Sequence, residues 1–187
     1  MNARLPAHVT LRLADHVWNL RTKRGFRELA PAIYESANRF GLRIVEFSLQ
    51  GNHIHLIIEA PDTRAMSSGI QGLSIRIARR LNHMMDKHGK VFADRFHSRV
   101  LRTPPEVRRA REYVLGNHAH HAAQRGKVVS SAPDPFSSAG YFDSHVYFEI
   151  CIELEWPVGE AGPPRLELRP RTWLLKQERK SDDPSTA

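Results

Sequence analysis

Two β-rich runs that stand almost back to back constrain the fold of this chain more than any other part of its sequence. They are residues 42–49, LRIVEFSL, and residues 53–60, HIHLIIEA, and only Gln50, Gly51 and Asn52 separate them. Gly51 can take the positive φ that a tight turn needs, so this arrangement is typical of a β-hairpin. The sequence therefore predicts an antiparallel pair of strands.

The segment before the hairpin predicts one strand and one helix. Residues 8–13, HVTLRL, alternate apolar and polar side chains with the period of two expected of a strand that buries one face. From Lys23 to Phe40 the apolar residues recur every three or four positions, which is the stripe of an amphipathic helix. Gly41 is the expected C-cap of that helix.

The segment after the hairpin predicts a second helix, a strand and a third helix. Apolar residues at helical spacing run through residues 65–88, and Gly89 is expected to end that helix. Residues 91–102 resume a strand-like pattern, and two prolines open a helix over about residues 105–121. The order β-α-β-β-α-β-α matches the ferredoxin-like, or RRM-like, topology. We therefore expect an α+β fold in which the helices pack on one face of an antiparallel sheet.

Beyond about residue 126 the amino-acid composition of the sequence changes. Serine, proline and glycine interrupt short apolar pieces there, and the final stretch ERKSDDPSTA has no apolar periodicity. The sequence therefore predicts one folded domain over residues 1–125. Residues 126–187 are expected to form an irregular extension that wraps the domain and ends in a disordered tail.

The charge of the chain favours a nucleic-acid partner. Lysine and arginine total 28 against 20 acidic residues, which gives a formal net charge of +8 and a pI near 10.1. A ribosome-associated or merely basic protein would have the same balance. The single cysteine, Cys151, can form neither an intramolecular disulfide nor a thiolate zinc cluster, which favours a reducing cytoplasm. No run approaches the ~18 apolar residues of a membrane helix.

The triplet His53-Ile54-His55 lies inside the second strand of the hairpin. Alternation directs both imidazoles to the same face of the sheet, with their backbones about 7 Å apart, within reach of one divalent ion. Such a triplet can equally be a pair of partly exposed sheet histidines. Two ligands do not make a metal site, so the metal hypothesis needs a further ligand.

Tyr113 and Asn117 stand four residues apart in the third helix and therefore share one helical face. The amide oxygen of Asn117 is the kind of ligand that Mg²⁺ or Mn²⁺ prefers. A divalent ion held by His53, His55 and Asn117 could polarise a phosphodiester in line with the tyrosine hydroxyl. The product would be a covalent phosphotyrosine. The alternative is that Tyr113 only packs its ring against the sheet.

A dense run of arginines leads into the helix of Tyr113, where it could hold a phosphate backbone near the nucleophile. Glu106 is the only acidic residue inside this run. A second group on the preceding helix is expected to extend the groove, although any of these side chains can equally be a solvated surface charge. The expected DNA-binding residues are Arg95, Arg99, Arg102, Arg108 and Arg109 in the run, with Arg76 and Arg80 on the preceding helix.

These motifs resemble the REP-associated tyrosine transposases, which are relatives of the single-tyrosine insertion-sequence transposases and belong to the HUH class of DNA-cutting enzymes. The resemblance covers residues 8–142 and lies in the HIH triplet after GN, the stretch DRFHSRVLRTPPE, the helix YVLGN and the later DPFSSAGYFD, with an echo in PRTWLL. It implies that His53, His55 and Asn117 bind the metal. It also implies that Tyr113 attacks DNA.

The resemblance further implies what such an enzyme acts on. Its substrate would be single-stranded DNA folded into the hairpins of repetitive extragenic palindromes, cut through a 5′-phosphotyrosine intermediate in the bacterial cytosol. The sequence leaves open whether the enzyme would work as a monomer or as a homodimer. In relatives the helix motif more often continues with Asn-Pro, whereas this chain has Asn117 and His118, and His120 is an alternative third ligand.

Other functions stay open at the level of sequence. An RRM-like module would grip RNA or DNA through basic and aromatic residues without metal, and a domesticated transposase that has lost cleavage would sit between that module and the enzyme. A metal-dependent hydrolase would use a histidine-rich zinc site, but it would leave the placement of Tyr113 unexplained. The histidines of such a site would be His53, His55, His118, His120 and His121.

Overall fold

The computed structural model of this protein describes residues 5–124, 126, 133–141 and 170–176. Within these ranges four strands form one antiparallel sheet. The strands are β1 (Ala7–Arg12), β2 (Arg43–Leu49), β3 (His53–Glu59) and β4 (His97–Val100). Their order across the sheet is β2-β3-β1-β4, the ferredoxin-like arrangement, so the predicted α+β fold class is confirmed.

Three helices alternate with the strands in the predicted order. They are α1 (Lys23–Ser36), α2 (Thr63–Met85) and α3 (Pro104–Gln124). Thr22 caps α1 by accepting a hydrogen bond from Gly25 N at 3.0 Å, and Asp62 caps α2 by accepting one from Ala65 N at 2.7 Å. No helix in the described part of the chain combines the length and apolar character that a membrane span requires.

Two helix ends differ from the sequence prediction. The first helix stops at Ser36 rather than Phe40, and its C-cap is Ala37 rather than Gly41. Phe40 and Gly41 adopt φ values of 55° and 79° in the turn that leads into β2. The second helix is capped by Asp86, whose φ is 51°, in place of the expected Gly89. Aspartate tolerates this left-handed conformation because its short polar side chain can form local hydrogen bonds.

The fourth strand and the hairpin turn also differ in detail. β4 covers only part of the predicted range 91–102, because the residues before it join the sheet through a single bridge between Leu13 and Phe92. Gly51 is absent from the glycines with positive φ, so the turn does not depend on its conformational freedom. Its carbonyl instead accepts a hydrogen bond from Leu20 N at 2.9 Å, which ties the turn to the loop after β1.

Helices cover both faces of the sheet, so the expectation that they pack on one face is wrong. On one face α1 and α2 bury side chains such as Leu11 and Ile54. On the other face Val45 and Ile57 form a second core with α3. The physical reason lies in β2 and β3, whose residues are buried on both sides of the sheet apart from the partly exposed His53. A strand of that kind needs cover on both faces.

The described pieces of the C-terminal extension pack onto the domain. Leu49 N donates a hydrogen bond to Phe136 O at 2.8 Å. The carboxylate of Glu59 accepts a hydrogen bond from Arg171 N at 2.9 Å. Leu174 and Leu175 then join the second core. Most of residues 126–187, including the tail expected to be disordered, lies outside the described residues.

Candidate active site

The sheet face that α3 covers is polar at one end. Strand register places Thr10 opposite both His55 and His97, and it places His8 opposite Arg99. Cross-strand partners project to the same side of a sheet, so these five side chains share a face. This end of the sheet therefore gathers imidazoles, a hydroxyl and a guanidinium.

His53 and His55 stand side by side, as the alternation of β3 predicts. Their ring centroids are 6.2 Å apart and their planes differ by 7°. His55 is buried, and its Nδ1 atom lies 3.2 Å from Thr10 Oγ1 and 3.3 Å from His8 Nε2. His53 Nδ1 lies 2.7 Å from Asn52 Oδ1, and because an amide oxygen only accepts, this nitrogen carries the proton. In the neutral ring, His53 Nε2 then keeps a lone pair for a cation.

The surroundings of His8 and His53 favour their neutral forms. Burial is the largest cause that lowers the pKa of His8 from its ordinary value of 6.5, and nearby Arg99 and His97 lower it further. Burial is also the main cause that lowers the pKa of His53, with a smaller contribution from Arg12. A neutral imidazole has the lone pair that metal binding requires, so the electrostatics of this face suit a metal ligand.

Tyr113 projects from α3 toward this group of histidines. Its ring centroid lies 5.2 Å from that of His55 with 80° between the planes, and 5.8 Å from that of His8 at 70°. Both contacts have the edge-to-face geometry that aromatic pairs prefer. Tyr113 is nevertheless 47% exposed, so part of the side chain stays open to a ligand.

Asn117 lies one helical turn after Tyr113 and is only 3% exposed. Its Oδ1 atom finds no hydrogen-bond donor among the residues that the structure describes. A buried polar atom left without a partner costs about 1–3 kcal/mol, so this oxygen is suited to an external partner. Amide oxygens bind Mg²⁺ and Mn²⁺, so the chemistry of this buried oxygen fits a divalent cation.

The histidine-rich zinc site expected of a hydrolase does not form within the described ranges. No group of three or more His, Cys, Asp or Glu side chains is placed there to hold a metal ion. His118 is exposed on α3, and the side chains of His120 and His121 lie outside the described residues. The alternative ligand His120 therefore stays a prediction.

Two of the predicted arginines lie next to Tyr113. A cavity of about 330 Å³ opens beside the tyrosine, and both Arg99 and Arg109 line it. Arg99 Nη2 is held 3.1 Å from Glu106 Oε1. Arg102, just before α3, and Arg108, on α3, are exposed side chains near the same end of the helix.

The other predicted arginines lie on the opposite face of the sheet. Arg76 and Arg80 of α2 form ion pairs with Glu35 of α1, at 3.9 and 3.2 Å. Arg95 lines a groove with Leu11 and residues of α2, on the face of the sheet that α1 and α2 cover and that holds the first core. The structure therefore does not bring these three arginines together with Tyr113.

Two residues of the site, His8 and Thr10, are missing from the sequence prediction. The alternation of β1 was a usable signal for them. Because Val9 and Leu11 point into the first core, their neighbours must point to the other face. What the sequence could not reveal is that β1 pairs directly with β3, which brings both side chains beside His55.

Glu46 is a third residue missing from the sequence prediction, and no sequence signal identifies it. A β-bulge after Ile44 shifts the register of β2, and the shift turns Glu46 onto the face that α3 covers. The carboxylate is fully buried there. It accepts a hydrogen bond from Ser138 Oγ at 2.7 Å and lies 3.4 Å from Arg111 Nη2 of α3. Glu46 thus helps to fix the helix that carries Tyr113.

Both the sequence and the fold match known proteins. The family model described as "Transposase IS200 like" matches residues 7–117, from the start of β1 to Asn117. The fold is similar to that of a REP-associated tyrosine transposase solved bound to a REP hairpin, with 19% identity, a TM-score of 0.55, and coverage of 85% of this chain and 86% of that chain. A candidate transposase from Deinococcus radiodurans is similar over 57% of this chain and 86% of its own, with 14% identity and a TM-score of 0.45. No curated protein matches the chain significantly.

Proposed function

Because the chain belongs to the family of IS200-like transposases, we propose that it cuts and rejoins single strands of DNA through a covalent bond between Tyr113 and a 5′ phosphate. The observation that carries this proposal is the 5.2 Å contact between the rings of Tyr113 and His55. The contact supports the proposal because it joins a half-exposed phenol to the imidazoles that the sequence predicts as metal ligands. One site can therefore receive both a DNA strand and a cation.

Three side chains would hold a divalent cation in this site: His53, His55 and Asn117. The buried Oδ1 of Asn117, which has no donor among the described residues, supports this set. A bound Mg²⁺ or Mn²⁺ supplies Lewis-acid polarisation of the scissile phosphate. The protein itself would orient two of these ligands. Thr10 Oγ1 contacts Nδ1 of His55, and Asn52 Oδ1 contacts Nδ1 of His53.

Tyr113 is the proposed nucleophile. Its hydroxyl oxygen attacks the phosphorus atom, the bond from phosphorus to the 3′ oxygen breaks, and the phenol loses its proton as the 3′ oxygen gains one. The protein keeps the 5′ phosphate, and the other fragment leaves with a 3′ hydroxyl. The phosphotyrosine bond conserves the energy of the cut bond. A 3′ hydroxyl can therefore attack it later and rejoin strands without ATP.

The substrate we propose is single-stranded DNA folded as a hairpin, cut in the bacterial cytosol. The solved relative with the same fold was bound to a REP hairpin. The net charge of +8 and the arginines beside Tyr113 suit a phosphate backbone. The side chains that we assign to this contact are Arg99, Arg102, Arg108 and Arg109.

An assay for the covalent adduct tests this function. The full chain is incubated with Mn²⁺ and a REP-type hairpin that carries a single-stranded flank and a label at either its 3′ or its 5′ end. Under denaturing conditions, we expect the 3′ label but not the 5′ label to migrate with the protein, because the protein retains the 5′ phosphate.

Two variants make this assay specific. Tyr113→Phe should abolish the adduct, because it removes the attacking oxygen. Tyr34→Phe should leave it unchanged, since Tyr34 is a tyrosine of similar exposure on α1. An undiminished adduct in Tyr113→Phe, or a 5′ label on the protein, would refute the proposal.

A further inference from the structure

The cavity of about 330 Å³ beside Tyr113 is separate from the proposed metal ligands. Its volume is at the lower end of the range of about 300–1,000 Å³ that is usual for small-molecule sites. None of His53, His55 and Asn117 lines it. The residues that do are His8, Arg99, Leu101, Glu106, Arg109, Ala110 and Tyr113. Tyr113 is thus the shared wall between the proposed metal site and this cavity.

Two arginines give the cavity a positive lining, and their environments differ. Arg99 is held by Glu106 at 3.1 Å, and Glu106 is itself fixed by a hydrogen bond from Arg102 N at 2.6 Å. Arg109 has no ion-pair partner among the described residues. A phosphate oxygen is the kind of acceptor that such a guanidinium binds well.

The rest of the lining suits a sugar and a base. Leu101 is buried and Ala110 is partly buried, so one part of the wall is apolar. The rings of His8 and Tyr113 meet with their centroids 5.8 Å apart and add aromatic surface. Bases of single strands bind to aromatic side chains, while cationic groups hold the backbone. The cavity therefore has the composition of a nucleotide site.

We propose that this cavity binds one unpaired nucleotide of the DNA strand, with its phosphate on Arg109 and Arg99. The inference rests on the proposed function, because it names the substrate of the same site. A cavity of about 330 Å³ has room for one nucleotide but not for a stacked duplex. A base must leave its stack to enter such a pocket. The cavity therefore selects a single-stranded position next to Tyr113.

DNA binding without metal tests this inference apart from cleavage. The probe is a fluorescein-labelled oligothymidine of about 12 nucleotides, measured by anisotropy in EDTA at several salt concentrations. Arg109→Ala should weaken binding about tenfold and lower the slope of affinity against salt by about one. Arg64→Ala is the control, because Arg64 is an exposed arginine of α2, on the face of the sheet opposite to the cavity. It should weaken binding by at most about threefold, as expected of a surface charge.

A second variant changes the cavity without changing its charge. Ala110→Leu fills the apolar wall, so it should weaken binding while leaving the salt slope at the wild-type value. Thermal unfolding shows whether Ala110→Leu folds. If it does not fold, the comparison of the two arginine variants tests the inference. Equal losses in Arg109→Ala and Arg64→Ala, or wild-type binding by folded Ala110→Leu, would overturn the inference. If no covalent adduct forms but these differences in DNA affinity are measured, the proposed cleavage is refuted and the nucleotide site is supported.

Discussion

The amide oxygen of Asn117 is a buried acceptor without a donor in the described part of the chain. Proteins rarely leave such an atom unpaired, because its desolvation costs about 1–3 kcal/mol when no hydrogen bond replaces the lost water. A bound cation would offset this loss. The same residue should therefore destabilise the metal-free protein and stabilise the metal-bound one.

Replacing Asn117 with leucine separates these two effects. Leucine has a similar volume and no polar atom, so we expect Asn117→Leu to be about 1 kcal/mol more stable than the wild type without metal. Adding Mn²⁺ should raise the unfolding temperature of the wild type but not that of the variant, because only the wild type binds the ion through this oxygen. Differential scanning fluorimetry with and without Mn²⁺ measures both quantities.

Asn82 offers a matched control for this experiment. Its Oδ1 atom also lacks a donor among the described residues, but Asn82 lies on α2, on the face of the sheet opposite to His53 and His55. Asn82→Leu should therefore keep the wild-type response to Mn²⁺. A full Mn²⁺ response in Asn117→Leu would contradict the role of its oxygen as a ligand.

Individual residues of the site could be predicted where a local rule fixes their direction. His53 and His55 share a face because side chains alternate along a strand, and Tyr113 and Asn117 share a face because helical residues four apart do. Spacing could not predict that these two faces meet. Both sides of β3 carry apolar residues, so the sequence leaves open which side α3 covers.

At the scale of elements, the start of α3 is fixed by a carboxylate in its first turn. The pKa of Glu106 is lowered, mainly by the hydrogen bond from Arg102 N and further by Arg99 and Thr103, while burial acts in the opposite direction. A lowered folded-state pKa means that the ionised form stabilises the fold. This stability is present above the ordinary pKa of 4.5 and is lost as the pH falls through the folded-state value.

We therefore expect Glu106→Gln to unfold at a lower temperature than the wild type at about pH 7, and we expect this difference to be smaller at about pH 3, below the ordinary pKa of 4.5. Thermal melts followed by circular dichroism at both pH values measure the difference. Glu112→Gln, which changes an exposed carboxylate on the same helix, should match the wild type at both. A difference for Glu106→Gln that is as large at pH 3 as at pH 7 would contradict this explanation.

The segment of residues 170–176 depends on the buried carboxylate of Glu59. That carboxylate accepts hydrogen bonds from Arg171 N at 2.9 Å and from Thr172 N at 2.7 Å, and it lies 3.4 Å from Arg43 Nε. Glu59→Leu would remove the acceptor of two backbone donors and the carboxylate beside the buried guanidinium of Arg43. We expect it to lower the free energy of unfolding by about 3–5 kcal/mol in urea titrations.

The exposed ion pair between Arg80 and Glu35 provides the comparison for this variant. Its atoms lie 3.2 Å apart, but both side chains are partly solvated. Glu35→Leu should therefore cost less than about 1 kcal/mol. If Glu59→Leu were no more destabilising than Glu35→Leu, the carboxylate would not be what holds this segment.

The order of the elements could be predicted because each element has its own local periodicity. The cover of both faces of the sheet by helices could not be predicted in this way, although part of the sequence signal for it was present. The consecutive apolar residues Leu56, Ile57 and Ile58 would face both sides of a strand and so indicate cover on both faces. The bulge that turns Glu46 inward, however, has no sequence signature.

In the whole molecule, the two faces of the sheet differ in what packs on them. One face carries α1, α2 and the larger core, and the other carries α3, the histidines and the cavity. The net charge of +8 predicted a nucleic-acid partner but not a surface for it. Charge is a sum over the chain, so it could not indicate that Arg76 and Arg80 face Glu35 while Arg99 and Arg109 face Tyr113.

Identification of the residue that becomes bonded to DNA tests the central claim most directly. The wild-type protein is reacted with the hairpin and Mn²⁺, digested with trypsin and nuclease, and analysed by mass spectrometry. We predict a nucleotide linked through its 5′ phosphate to the peptide of residues 112–125, whose only tyrosine is Tyr113. A nucleotide on any other peptide, such as the peptide of residues 28–39 that contains Tyr34, would contradict the claim.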